Sequence, residues 1–242
     1  MSLLFETTPD GAERYLDWVV SGLGWTLFLA LGAWTIALVV GTLVGVVRTL
    51  PDGVLPRVGR VYVETFRNIP LLVQMFFWYF VLPELLPARV GMAIKQMDPP
   101  WGSFVPALIC LGLFTAARIA EQVRAGLQAL PGGQTQAALA LGFARGSMYR
   151  MILLPQASRI ILPTLTNEFM TIFKNTSVAL TIGLVELTAT AREINENTFR
   201  TFEAFGVVTI VYLVIALVAW QVMSRIEQAV HLPSLASGKS RP

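Results

Sequence analysis

QAALALGFARGSMYRMILLP, residues 136–155, lies between long apolar runs and differs from them in kind. It carries Gly142 and Gly146, Arg145 and Arg150, and closes on Pro155. Such a stretch is too polar to cross a membrane, yet its start, Ala137 to Leu141, favours helix. Ala138 and Gly142 stand four apart, which on a helix puts two small residues on one face and lets another surface come close. Gly142 and Gly146 offer breaks, and Ser147 is expected to cap the helix that follows. Pro155 and Pro163 disfavour regular helix at the residues before them. Two uses fit these residues: a short helix that a second protein grips, or a re-entrant or tightly packed connector inside this one.

The surroundings narrow the setting. Of 242 residues, 55% are hydrophobic and only 14% charged, whereas soluble domains carry about 25% charged residues. The expected class is an all-α integral membrane protein in one domain, with no Gly/Ser linker and no repeat to divide it. The net charge of +3 is small, and its cations form no aromatic-interleaved patch of the nucleic-acid-binding kind, so no nucleic-acid partner is expected. Cys110, the single cysteine, is expected to be a buried hydrophobe. The first residues lack a basic segment before an apolar one, which argues against a cleaved signal.

Runs of about eighteen or more apolar residues suggest spanning helices. Trp18 to Val47, Pro99 to Ala117 and Ala204 to Ser224 qualify outright. Val58 to Leu86 is a less pure candidate, with Glu64 and Arg67 inside it; so is Gln156 to Leu184, with Glu168 and Lys174. Five crossings follow. Charge then orients them, because cytoplasmic loops collect Lys and Arg. Arg48, Arg57, Arg60 and Arg67 follow the first span; Arg118, Arg124, Arg145, Arg150 and Arg159 flank the link between the third and fourth; Arg225, Lys239 and Arg241 end the chain. Acidic residues gather on the other side, as at Glu6, Asp10, Glu13 and Asp17. The N-terminus is expected outside and the C-terminus inside, with residues 1–17 periplasmic, 18–230 the membrane domain, about 128–155 a cytoplasmic loop, and 231–242 a cytoplasmic tail.

With the stretch placed in the cytoplasm, its pattern becomes specific. It resembles the Glu-Ala-Ala loop of permease subunits in binding-protein-dependent ABC importers: Ala137 and Ala138, then Gly142, then nine residues to Ile152, Leu154 and Pro155. Gln136 stands where that pattern has Glu, keeping a hydrogen-bonding carbonyl but losing the charge. FRNIPLLVQ (66–74) and KNTSVALTIGLVEL (174–187) are similar to second- and fourth-span motifs of polar amino-acid permeases, and the overall pattern is most like glutamate/aspartate permeases. The resemblance implies a type I ABC importer (MetI-like) permease fold. It implies as partners a cytoplasmic ATPase dimer, a second permease chain and a periplasmic solute-binding protein. Gln136, Ala137, Ala138, Gly142, Arg145, Ile152 and Pro155 would dock the ATPase.

No catalytic residues are expected in this chain. It has no G-x-x-x-x-G-K-[ST] loop, so ATP and Mg would be held by the partner ATPase and not here. His231 has no plausible metal partners, so neither a metal nor a cofactor is expected. Charges inside spans are costly and face protein or a wet cavity. Lys174, with Asn175, Thr176 and Ser177 behind it, is the candidate substrate pathway, since a cation and donors suit a dicarboxylate. Glu64, Arg67 and Gln74 are expected in gating or structural roles. Arg118 and Glu121, three apart, are expected to pair along their helix, and Phe76 to Tyr79 to form an interfacial aromatic belt. Two other readings remain: a permease for glutamine, histidine or another polar amino acid, and a stand-alone channel or ion-coupled carrier.

Overall fold

The computed structural model describes residues 2–9 and 11–230; the expected tail 231–242, with His231, lies outside the described residues. Among the described residues the regular elements are helical, apart from one isolated bridge between Thr7 and Arg14. The first long helix, α1 (Tyr15–Val47), starts where Asp17 accepts the Arg14 backbone N–H at 2.9 Å. Its buried face is a ladder of small residues: Ala30, Ala33, Ala37, Gly41 and Gly45. That ladder admits α6 (Trp101–Gln128) at close range. A Cβ on Gly41 would lie 2.8 Å from the Ala116 carbonyl oxygen, so no larger residue fits without moving a backbone. Small residues bring helix backbones together where lipid offers no hydrophobic drive for association.

The contacts along this pair run in step. Ile36 meets Gly112, Gly41 meets Ile119, and Gly45 meets Val123. The helices are therefore parallel. Parallel neighbours need a return crossing, which the chain between them supplies. It is not the single rod expected over Val58 to Leu86. Instead α2 (Val54–Asn68) ends at Ile69, and the helix resumes as α3 (Leu71–Phe76), a π-helical turn (Phe77–Val81) and α4 (Leu82–Leu85). The two halves meet at 108°. Pro70 explains the break: it disfavours helix at the residue before it, and Ile69 is extended (φ −96°, ψ 131°). Gln74 stabilises the corner. Its Nε2 donates to the Phe66 carbonyl at 2.8 Å and the Ile69 carbonyl at 2.9 Å. A short helix, α5 (Ala88–Lys95), caps this region.

Beyond α6 come α7 (Gly132–Ala140) and α8 (Arg145–Met148), then a π-helical turn (Tyr149–Leu153) and α9 (Leu154–Asn175). The expected fourth span, Gln156 to Leu184, is α-helical only as far as Asn175; a 3₁₀ segment (Thr176–Ile182) completes it and stops at Gly183, φ +83°. This segment lies antiparallel along the whole of α6. Ile161 packs at Gly126, Glu168 meets Arg118, and the Ser103 hydroxyl donates to the Ile182 carbonyl at 2.8 Å. Two more helices follow, α10 (Leu187–Thr198) and α11 (Thr201–Val230). Thr166 on α9 bonds Glu227 on α11, so α11 again runs with α1 and α6.

Among the described residues, α1, α6 and α11 are each long and apolar enough to cross a membrane, and the bent pair α2 with α3–α4 makes a fourth candidate. The ends of α1 and α6 meet the start of α9 at one end of the bundle, which is also where 136–155 lies. Cys110 of α6 is fully buried in the main core cluster, as expected.

Candidate coupling surface and transport pathway

At that shared end, α7 packs one residue inward. Ala138 is 2% exposed and sits in a core cluster with Val123, Leu127 and Met148. Gln136, Ala137, Leu139 and Ala140 face outward. The helix then closes in a Schellman turn: the Phe143 N–H donates to the Ala138 carbonyl and the Gly142 N–H to the Leu139 carbonyl, both at 3.0 Å. Gly142 has φ +79°, a conformation glycine adopts without penalty. Two expectations change here. Gly142 shares no helix face with Ala138, because it lies past the helix end in a left-handed turn. Ser147 caps nothing: Ala144 is the N-cap of α8, and Ser147 lies within the helix. What the stretch does present outward is apolar, Leu139, Leu141 and Phe143 at 46%, 77% and 38% exposure, with Arg145 beside them. Ile152 is half-buried and Pro155 exposed.

A charge cluster ties this end together. Glu121 of α6 accepts from Arg48 at 2.6 Å and from Arg124, with Arg67 of α2 3.9 Å away. Thr49 and Tyr149 share a hydrogen bond of 2.9 Å from the end of α1 to the turn before α9. The expected Arg118–Glu121 pair is absent. Arg118 instead reaches across to Glu168 at 2.8 Å, where Gln122 also donates at 3.1 Å. Residues three apart on a helix diverge by about 60°, enough for α9 to claim one and α1 with α2 the other. Glu64 and Arg67 are exposed on α2, whereas Gln74 is 5% exposed at the corner. Phe76, Phe77 and Phe80 are exposed while Trp78 and Tyr79 pack on the core, so the aromatic stretch is half belt and half packing.

Further along, α9, α10 and α11 enclose a pocket of about 310 Å³ lined by Lys174, Ser177, Thr188, Thr209 and Tyr212, with Phe205 and Val208. Small-molecule sites begin at about 300 Å³. Lys174 is exposed toward it and has no acidic partner among the described residues. The other candidates divide. Ser177 joins Lys174 in the lining; Asn175 does not, and Thr176 is fully buried with its hydroxyl donated to the Phe173 carbonyl at 2.7 Å.

A support behind the pocket, outside its lining, was not legible in the sequence. Glu186, fully buried, caps α10 by accepting the Thr188 and Ala189 N–H groups at 3.0 Å each, and its second oxygen accepts the Tyr212 hydroxyl at 2.7 Å. Tyr212 sits in an apolar run, and only the fold shows that its hydroxyl points inward. A larger cavity of about 710 Å³, between the π-turn and Gly183, has its charges, Lys95 and Glu84, already paired.

A helical bundle with several helices long and apolar enough to cross a membrane, an exposed short helix at one end and an open pocket holding an unpaired lysine between its later helices is an arrangement suited to a membrane transport subunit. The model of the family described as binding-protein-dependent transport system inner membrane component matches residues 37–231. The chain belongs to that family and is a multi-pass inner membrane component. It is 44% identical over 238 residues to the glutamate/aspartate import permease protein GltJ of Escherichia coli K12, covering 98% of this chain and 97% of that one. Among solved structures, an amino acid ABC transporter crystallised with histidines aligns with TM-score 0.73 at 31% identity, over 89% of this chain and 95% of that one. The inward-facing MetNI methionine ABC transporter aligns at TM-score 0.72 and 20% identity, over 89% and 97%. The fold is thus the type I, MetI-like permease fold expected.

Proposed function

We propose that this chain is the permease subunit of an ABC importer of acidic amino acids, glutamate and aspartate, in a bacterial inner membrane. The observation that carries the cargo is the 44% identity, end to end, with a glutamate/aspartate permease. The unpaired Lys174, with hydroxyls of Ser177, Thr188, Thr209 and Tyr212 in the same pocket lining, supports it, since a cation and donors suit a cargo with two carboxylates. The chain crosses the membrane five times, N-terminus outside and C-terminus inside; α9 makes its crossing by packing on α6 and α11 more than by its own apolarity. Residues 136–150 dock on a separate ATPase dimer, which binds ATP and Mg. Leu139, Leu141 and Phe143 supply apolar contact there, and Gln136 a neutral hydrogen-bonding group. A second, related permease chain completes the pore, and a periplasmic binding protein delivers the cargo.

Because the ends of α1 and α6 and the start of α9 converge beside α7, a shift of the docked helix moves several spans together. A pocket in mid-membrane then changes the side to which it opens, as alternating access requires. The test is uptake in vesicles holding the full assembly: labelled glutamate should enter with ATP inside, and excess aspartate should compete while glutamine and histidine should not. Preference for a neutral or cationic amino acid would remove the acidic assignment. Uptake by this chain alone, indifferent to ATP, would establish the channel or carrier reading instead.

A further inference from the structure

The helix α2 has three distinct faces. Pro56, Gly59 and Val63 are buried against α1 and α6. On the opposite side Val54, Leu55, Val58 and Val61 are 76%, 66%, 60% and 64% exposed. Between them lies a charged edge, Arg57, Arg60, Glu64 and Arg67, all exposed. At about 100° per residue these positions form separate stripes. Arg57 and Arg60 have no acidic partner among the described residues. The helix also meets the following span at 108°, so when that span stands across the bilayer α2 lies close to the membrane plane. It begins six residues past the end of α1, at the end of the bundle where the arginines collect.

We infer that α2 is an in-plane interfacial helix that recognises anionic phospholipid headgroups, with Arg57 and Arg60 on the phosphates and Val54, Leu55, Val58 and Val61 among the acyl chains. The physical basis is the pattern of membrane-surface helices: a basic polar edge, an apolar face, and a position at the boundary. A negative leaflet adds attraction for each nearby cation. Charge sets the occupant. Two unpaired arginines beside a fully apolar stripe match a leaflet, which offers phosphate and hydrocarbon in that order. The arrangement also fixes the depth at which Gln74 and Pro70 turn the chain into the next span.

The experiment uses the assembled transporter. With Cys110→Ala removing the only cysteine, Val58→Cys carries an environment-sensitive fluorophore. The protein is placed in vesicles containing brominated phosphatidylglycerol or, at equal mole fraction, brominated phosphatidylcholine. The expected result is quenching by both, about twofold stronger for the anionic lipid, with the difference abolished by Arg57→Gln plus Arg60→Gln. Equal quenching by the two lipids in the parent protein would overturn the headgroup recognition. Absence of quenching by either would show the face covered by another protein chain and overturn the inference altogether.

Discussion

Gly142 shows how a single residue's role differs from what spacing suggests. Its value is the positive φ of a Schellman turn, not a small patch on a helix. A β-branched residue there costs roughly 1–2 kcal/mol in backbone strain. Gly142→Val is expected to reduce the ATPase recovered with the purified permease severalfold, and Gly142→Asn, which tolerates the left-handed region, much less. Equal recovery for both would contradict the turn's importance. Lys174→Ala is expected to leave assembly intact and lower uptake, because the pocket loses its one cation. Kinetics identical to the parent would take Lys174 out of the pathway. Gln74→Leu deprives two carbonyls of their donors at the α2–α3 corner, a loss of about 1–3 kcal/mol. It should appear as a lowered unfolding temperature in detergent. Ala138, Gly142 and Lys174 were all legible as special in the sequence. Their geometry was not, because whether a small residue faces inward or sits past a helix end depends on what packs against it.

At the scale of elements, helix pairing rests on small-residue contacts and cross-helix charge. Gly41→Leu is expected to separate α1 from α6 and cost about 1–3 kcal/mol, since the added atoms meet the Ala116 backbone and not a movable side chain. The measurement is heat-induced loss of the monodisperse species on size exclusion. Arg118 and Glu168 bridge α6 to α9 at 2.8 Å, with Glu168 nearly buried and Arg118 partly exposed. A double-mutant cycle over Arg118→Met and Glu168→Gln should give a coupling of about 1 kcal/mol, modest because of that exposure. Sequence spacing suggested the wrong partner here. An i, i+3 separation permits a pair, but it cannot see a competing carboxylate fifty residues away. The broken second span has a similar lesson. The apolar run suggests one span through Pro70, and only the fold shows the chain breaking there, with Gln74 bonded across the corner.

For the whole molecule, the decisive property is that the stretch 136–155, the ends of α1 and α6 and the start of α9 occupy one end. Cysteines placed at 141 and, separately, at 95 should label from opposite sides of oriented vesicles, 141 only from the cytoplasmic side. Labelling of both from one side would break the five-crossing topology. The sequence by itself determined the solvent and the helical class, and it singled out 136–155 as unlike the apolar runs around it. Lipid demands that each backbone hydrogen bond be closed within the segment, so long apolar runs leave few alternatives. Its spacing of small residues and proline also carried the family. Only the tertiary structure decided which charges meet, where the second span turns, and that the buried Glu186 holds Tyr212 at the pocket beside Lys174. Those outcomes depend on contacts between residues far apart in the chain, and linear order does not record which helix faces which.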